Sequence, residues 1–277
     1  MGKCAALRFT AALAGLVNLA SIVPAQEQIK ARIVGGNKTD IKLHPWQVAF
    51  EVDISGIRQF CGGSIIEPRW VLTAAHCFFG GKNGDLRAEP GDVRAKSGVT
   101  NYATSGSWAQ IERVVVHPGY NPNTDVGGHE HDLALVKLRS PAAGKSIQLA
   151  AADLSVPVGQ QLEVTGWGET AYLKGDAPKV LRRATVPYQD LAACNAPAAY
   201  KGAIKASMMC AGRQEGGIDA CRGDSGGPLV WRKQDGQVLV GVVSWGIDCG
   251  KASKYGVYTR VSSYRDWITG ILASDPK

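Results

Sequence analysis

The chain has 277 residues, 45% of them hydrophobic and 20% charged, with no low-complexity tract. That excludes a disordered or fibrous protein and leaves room for one large domain or two lobes. The formal charge is +7, but Lys3, Arg8, Lys30 and Arg32 against Glu27 place +3 of it ahead of Ile33; the remaining +4 is spread without a Lys/Arg run, which gives nucleic-acid binding no footing.

The first residues read as an address. Lys3 and Arg8 lead into an apolar run over 11–23, and Val23, Pro24 and Ala25 end on the small residue that a signal peptidase accepts. The run is shorter than the ~20 residues needed to span a bilayer, and no comparable run follows. Residues 1–25 are expected to be a cleaved secretory signal, so the product is secreted, extracellular or periplasmic, and has no membrane span. Cys4 leaves with that signal. Cys61, Cys77, Cys194, Cys210, Cys221 and Cys249 remain as an even set in an oxidising compartment, which predicts three disulfides of unspecified connectivity. There is no CxxC pair, and His76 beside Cys77 lacks a partner pair at zinc-ligand spacing, so no metal site is expected.

Next comes RIVGG, residues 32–36, a basic residue ahead of a segment able to pack inward, or simply a first strand and its turn. Beyond it, short apolar runs recur over 47–52, 70–73, 111–116, 133–138, 161–166, 228–231, 238–245 and 256–261, separated by Gly, Pro, Asn and Asp. Many strands without intervening amphipathic helices predict an all-β fold of antiparallel barrels or sandwiches. Residues 141–157 lack strand periodicity and are the expected link between two halves. At the C-terminal end Tyr264, Trp267, Ile268, Ile271 and Leu272 recur at helical spacing, with Ser262 or Ser263 placed to cap the helix.

The chemistry concentrates in DACRGDSGGPL, residues 219–229. Small residues around Ser225 let the backbone turn tightly and aim its amides. The stretch also fits GxSxG, the nucleophile elbow of α/β-hydrolases, but that elbow sits between a strand and a helix, and here a strand follows. The histidines also precede the serine, against the hydrolase order. Of His44, His76, His117, His129 and His131, the best base is His76, at the end of an apolar strand in TAAHC beside a cysteine that can fix it. Asp132 opens the apolar strand of HDLALVKL and can orient an imidazole, or else is a turn residue before a strand.

With RIVGG, WVLTAAHC, HDLALVKL, TGWG, CRGDSGGPL, VSWG and GVYTRV in this order over 33–271, the chain resembles the chymotrypsin-like serine proteases, and among them trypsin. The resemblance implies two six-stranded antiparallel β-barrels with the active site in the crevice between them and a C-terminal helix outside. It implies residues 26–32 as an activation propeptide and 33–277 as the peptidase domain, with the N-terminal barrel over about 33–148 and the C-terminal barrel and helix over about 149–277. His76 would be the general base, Asp132 its orienting partner and Ser225 the nucleophile, with the amides of Gly223 and Ser225 as oxyanion hole. The implied disulfides are Cys61 to Cys77, Cys194 to Cys210, and Cys221 to Cys249.

The same resemblance gives substrate and control. Asp219, six residues before the serine, matches the aspartate at the base of trypsin's primary pocket, with Ala220, Ser244, Trp245, Gly246 and Gly256 around the substrate. Cleavage after Arg or Lys is implied, and Ala220, where trypsin has serine, removes a hydroxyl an ammonium could use, which favours Arg. Cutting between Arg32 and Ile33 would free an ammonium to meet Asp224 and order the oxyanion loop, and Arg32 itself suits the pocket, which points to self-activation. Partners are protein or peptide substrates with Arg or Lys at the cut, and protein protease inhibitors; a monomer is expected. No cofactor is implied: 78–97 lacks trypsin's acidic calcium loop, although Tyr255 replaces a proline where aromatic-bearing relatives can bind sodium. The extra residues of 121–131, with His129 and His131, either shape a subsite or face solvent. The competing class is a catalytically silent homologue that binds rather than cuts; such proteins usually lose His, Asp or Ser, and this chain keeps all three.

Overall fold

The computed structural model describes residues 1–2, 33–81, 84–123, 129–170, 175 and 177–275. Nearly all of the expected leader, the whole of 26–32 with Arg32, and 124–128 of the loop ahead of Asp132 lie outside the described residues.

Two rings of strands carry the fold. The first contains Gln47–Ile54 (β1), Ile57–Glu67 (β2), Trp70–Thr73 (β3), Val93–Ser97 (β4), Ala109–Val116 (β5) and Ala134–Leu138 (β6). They close as a barrel in the order β1-β2-β3-β6-β5-β4, every pairing antiparallel. β3 and β6 are buried at every position, so they read as continuous apolar runs rather than alternating ones. The second ring contains Gln161–Gly166 (β7), Arg182–Gln189 (β8), Met208–Ala211 (β9), Pro228–Lys233 (β10), Gly236–Trp245 (β11) and Gly256–Arg260 (β12). Its order is β8-β7-β10-β11-β12-β9, and β9 returns to pair with β8. Closure leaves neither ring an open edge.

Two local expectations need correction. The link over 141–157 is not strand-free: Gln148–Leu149 pairs in parallel with β11. Neither Ser262 nor Ser263 caps the last helix. Val261–Tyr264 forms a 3-10 turn that runs into the helix Arg265–Ala273 with Tyr264 at its start and no side-chain cap, because i→i+3 bonds of such a turn take up backbone groups a cap would serve.

Each half of the chain reaches into the other. Asn37–Lys38, ahead of the first ring, pairs with β8 of the second. Past the last helix, Asp275 accepts hydrogen bonds from Lys137 (2.8 Å), Trp70 (3.2 Å) and Arg113 (3.2 Å) of the first ring. Within the second ring, the buried Glu163 of β7 meets Arg232 at 2.6 Å and Arg183 at 3.1 Å, and it reaches His44, ahead of the first ring, at 3.2 Å. Burial alone would raise the Glu163 carboxyl, but hydrogen bonds and charge from His44 and Arg232 outweigh it and bring the value down to about 2.

A depressed carboxyl stabilises the fold fully above its ordinary value of 4.5, and that contribution is lost as pH falls toward 2. Glu163→Ala should therefore cost about 2 kcal/mol near neutral pH, less than for a fully sealed pair because both arginines reach solvent. Urea unfolding of both proteins between pH 7 and pH 2 should show the gap closing with acid; a gap independent of pH would remove the ion-pair account.

Candidate active site

His76 and Asp132 meet because two strand ends deliver them to one place. His76 lies in the 3-10 turn Ala75–Phe78 directly after β3, and the next residue, Cys77, is tied by a disulfide to Cys61 of β2. Asp132 sits just ahead of β6, after His131, which takes the left-handed φ of +59°. One Asp132 oxygen accepts the His76 backbone amide at 2.9 Å, and the other faces His76 Nδ1 at 2.8 Å. The Ser244 hydroxyl donates to that second oxygen, and Thr259 Oγ1 donates to the Asp132 carbonyl at 2.8 Å. Asp132 is wholly buried. Burial opposes its charge, yet the His76 charge and the hydrogen bonds from His76 and Ser244 hold its carboxyl below the ordinary value. Burial likewise opposes the His76 imidazolium, and the Asp132 charge and hydrogen bond more than offset it, so His76 titrates above 6.5.

The serine loop runs from Cys221 to the start of β10. Gly223 has φ of +89° and Gly226 of +78°, a region that L side chains rarely enter. At Gly226 a Cβ would also come within 2.1 Å of Thr73 Oγ1 and 2.6 Å of the Gly62 carbonyl, so the loop can press against the first barrel only with glycine there. The contact is made: Gly62 donates its amide to the Ser225 carbonyl at 2.6 Å. The same carbonyl is 3.8 Å from Cys77 Sγ, which is 4.0 Å from His76 Nε2, so serine and histidine flank one disulfide sulfur. The amides of Asp224, Gly226 and Gly227 each donate to a carbonyl of the chain. Those of Gly223 and Ser225 have no such acceptor among the described residues, which leaves two adjacent donors for an anion.

Behind the loop lies a cavity of about 350 Å³. Asp219, Ala220, Ser225, Ser244, Trp245, Gly246 and Gly256 all line it, so the residues singled out around the substrate are brought together. A Cβ at Gly256 would stand 2.6 Å from Asp219 Oδ1, which explains the missing side chain. Asp219 is 4% exposed, and its Oδ2 accepts from the Gly250 amide at 3.1 Å. Its Oδ1 has no hydrogen-bond partner among the described residues. Burial pushes its carboxyl up to about 7, with the Gly250 and Ala220 amides pulling the other way. Asp224 is sealed deeper: its two oxygens accept from Gly168 (2.8 Å) and Cys221 (2.9 Å), and burial pushes it up to about 6 despite both. Ile33 is fully buried, while the Val34 carbonyl accepts the Asp219 amide at 3.1 Å. The bonds Cys221–Cys249 and Cys194–Cys210 complete the three disulfides.

The sequence reading misses several neighbours. Ser244 is placed at the substrate, but its hydroxyl goes to Asp132. Tyr258, whose buried hydroxyl lies without a partner at the cavity base, belongs to the GVYTRV motif, and that motif is the one signal that could have found it. Neither histidine of the 121–131 loop simply faces solvent. His131 stacks on His117 with ring centroids 4.9 Å apart, and its Nδ1 lies 3.1 Å from the Tyr264 hydroxyl. His129 is half-buried, with Nδ1 unpartnered among the described residues; burial first, then the nearby His76 charge, lower its pKa, while Asp132 pulls it up. One metal-like grouping, Cys61, His76 and Cys77, has ligand atoms within 4.8 Å of one another, but both sulfurs belong to a disulfide and cannot serve as thiolates.

Among known families, the model described as Trypsin matches residues 33–268 of this chain. The span takes in both barrels, the His76–Asp132 pair, the serine loop and the cavity over Asp219.

The opposing forces on His76 give a direct test. In the intact protein its imidazole should titrate above 6.5, and in Asp132→Asn, where burial is no longer offset, below it. Titration followed by imidazole NMR reads both values, and an unchanged midpoint in the variant would sink the assignment.

Proposed function

Because the chain belongs to the trypsin family of serine proteases, we propose that it cuts peptide bonds after Arg, and less readily after Lys, using Ser225, His76 and Asp132. The observation that carries this reading is Asp219 Oδ1, buried and unpartnered at the base of the cavity that Ser225 borders. A buried carboxylate without a partner is costly, and a guanidinium that fills the cavity relieves it with paired hydrogen bonds. Ala220 beside it offers no hydroxyl to an ammonium that reaches less far.

The chemistry follows from the site. His76 Nε2 takes the Ser225 proton as Oγ attacks the carbonyl carbon, and Asp132 offsets the charge the imidazole gains. The carbonyl oxygen becomes an anion and is met by the amides of Gly223 and Ser225, fixed donors that need no reorganisation. His76 then returns the proton to the departing amine as the C–N bond breaks, leaving an ester on Ser225. Water, deprotonated by the same imidazole, hydrolyses that ester.

Control follows from Asp224. While Ile33 is bonded to Arg32 its nitrogen is an uncharged amide; cutting that bond creates an ammonium suited to a carboxylate that burial alone disfavours. Uncut, the chain also holds Ile33, a β-branched residue, at φ of +33°, a strained setting worth on the order of 1–3 kcal/mol that a free N-terminus escapes. The enzyme is thus made as a zymogen with propeptide 26–32, and the Arg at its end fits the enzyme's own cavity. Secretion accords with the leader at 1–25 and three disulfides, and among the described residues no helix is long and apolar enough to cross a membrane. Its partners are proteins and peptides with Arg or Lys at the cut, and inhibitors that present such a residue; it acts as a monomer.

Matched Arg and Lys amides test the reading. The activated protein should favour Arg by about tenfold in kcat/KM, the scale of one hydrogen bond to a charged group, with the rate rising as pH climbs through the raised His76 value, above 6.5, and the imidazole becomes neutral. Ser225→Ala should lower it by about 10⁴-fold or more. Equal rates on the two amides would end the role given to Ala220, and no hydrolysis at all would favour the silent, binding class. For activation, active enzyme mixed with the Ser225→Ala precursor should cut it between Arg32 and Ile33; a precursor left whole would exclude self-activation.

A further inference from the structure

On the other side of Trp245 lies a second cavity, of about 280 Å³. Trp245 and Ile247 line both it and the cavity over Asp219, so the two cavities adjoin. Its wall is aromatic: the Tyr200 ring meets Trp245 edge-on at 5.0 Å and is held there by its hydroxyl, which donates to the Tyr255 carbonyl. Its rim is cationic. The Lys254 ammonium is fixed in place by the carbonyls of Ala198 and Ala199 and sits 5.6 Å from the Tyr200 ring centre. Lys201 is exposed on a turn at φ of +52°. Neither lysine has a carboxylate partner among the described residues.

An aromatic wall rimmed by two ammonium groups that lack a carboxylate forms a site that an acidic side chain satisfies and a basic one does not. The direction of the peptide follows from the chemistry. The departing amine must lie by His76, which gives it a proton, so the leaving side runs past the Cys61–Cys77 bridge. The acyl side runs the other way, over Ser244 and Trp245. An extended chain gains about 3.3 Å per residue, so a side chain about two or three positions before the cut reaches across the indole.

We infer that the cavity bounded by Tyr200, Trp245, Lys201 and Lys254 is a second specificity site, which takes an Asp or Glu side chain upstream of the Arg that fills the cavity over Asp219. This rests on the Arg-directed reading given above. It narrows the substrates to proteins with an acidic residue shortly before the cut Arg.

The test uses the activated enzyme on Arg amides that carry Glu, Gln, Leu or Lys at each upstream position in turn, and on an Arg amide with nothing upstream. At one of those positions Glu should exceed Gln by about two- to fivefold in kcat/KM, mainly through KM, the scale of a partly exposed ion pair. Lys should fall below Gln, and the ranking should flatten as salt rises. In Lys201→Glu, an exposed change that leaves the packing intact, the Glu-to-Lys ratio should reverse. Equal rates for Glu, Gln and Lys, a preference for Leu alone, or a ratio indifferent to Lys201→Glu would each overturn the site while the short Arg amide is still cut. If the short Arg amide is not cut, the Arg-directed reading falls, and this site with it.

Discussion

The charge on Asp132 is the constraint around which the rest is arranged. A carboxylate removed from water stays ionised only if its surroundings supply donors and a cation, and here they come from both barrels. His76 belongs to the first, Ser244 and Thr259 to the second. Keeping that one charge therefore fixes how the barrels face each other. It also decides which nitrogen of His76 points at the serine, since Nδ1 is committed to the carboxylate.

Two more buried carboxylates present the opposite case. Asp219 and Asp224 lie in one loop, both pushed toward neutrality by burial, to about 7 and about 6, and among the described residues they are met by backbone amides and by no cation. On the proposed reading each is completed from elsewhere, Asp219 by the substrate and Asp224 by a chain end that does not exist until a bond is cut. A carboxylate with its cation built in orients the machinery, and one without is a receptor. Activation and selectivity then share one physical basis with catalysis.

The sequence makes much of this legible, for reasons particular to the residues. The serine loop is readable because tight turns and close contact demand glycine at 223 and 226, and those demands are local. The strands are readable where burial on both faces makes a continuous apolar run, as in β3 and β6. β8 escapes notice: paired arginines and Pro187 mask its alternation, although Arg182 points inward to the Gly36 carbonyl. Ser244 escapes for a different reason. Its bond to Asp132 joins residues 112 positions apart, and no period or spacing encodes such a meeting. The stack of His131 on His117 and the hold on Asp275 are hidden in the same way.

The crossed ends of the chain carry a last consequence. The strand Asn37–Lys38 is lent to the second barrel, and Asp275, after the last helix, is clasped by the first. Each closed barrel thus holds a piece of chain that lies beyond the other, so local fraying of either piece is coupled to both barrels. For a serine protease this is self-protection: the segments at the edges of the domain, ordinarily the first to open and be nicked, are held at Asn37–Lys38 and at Asp275 by structure that must come apart as one.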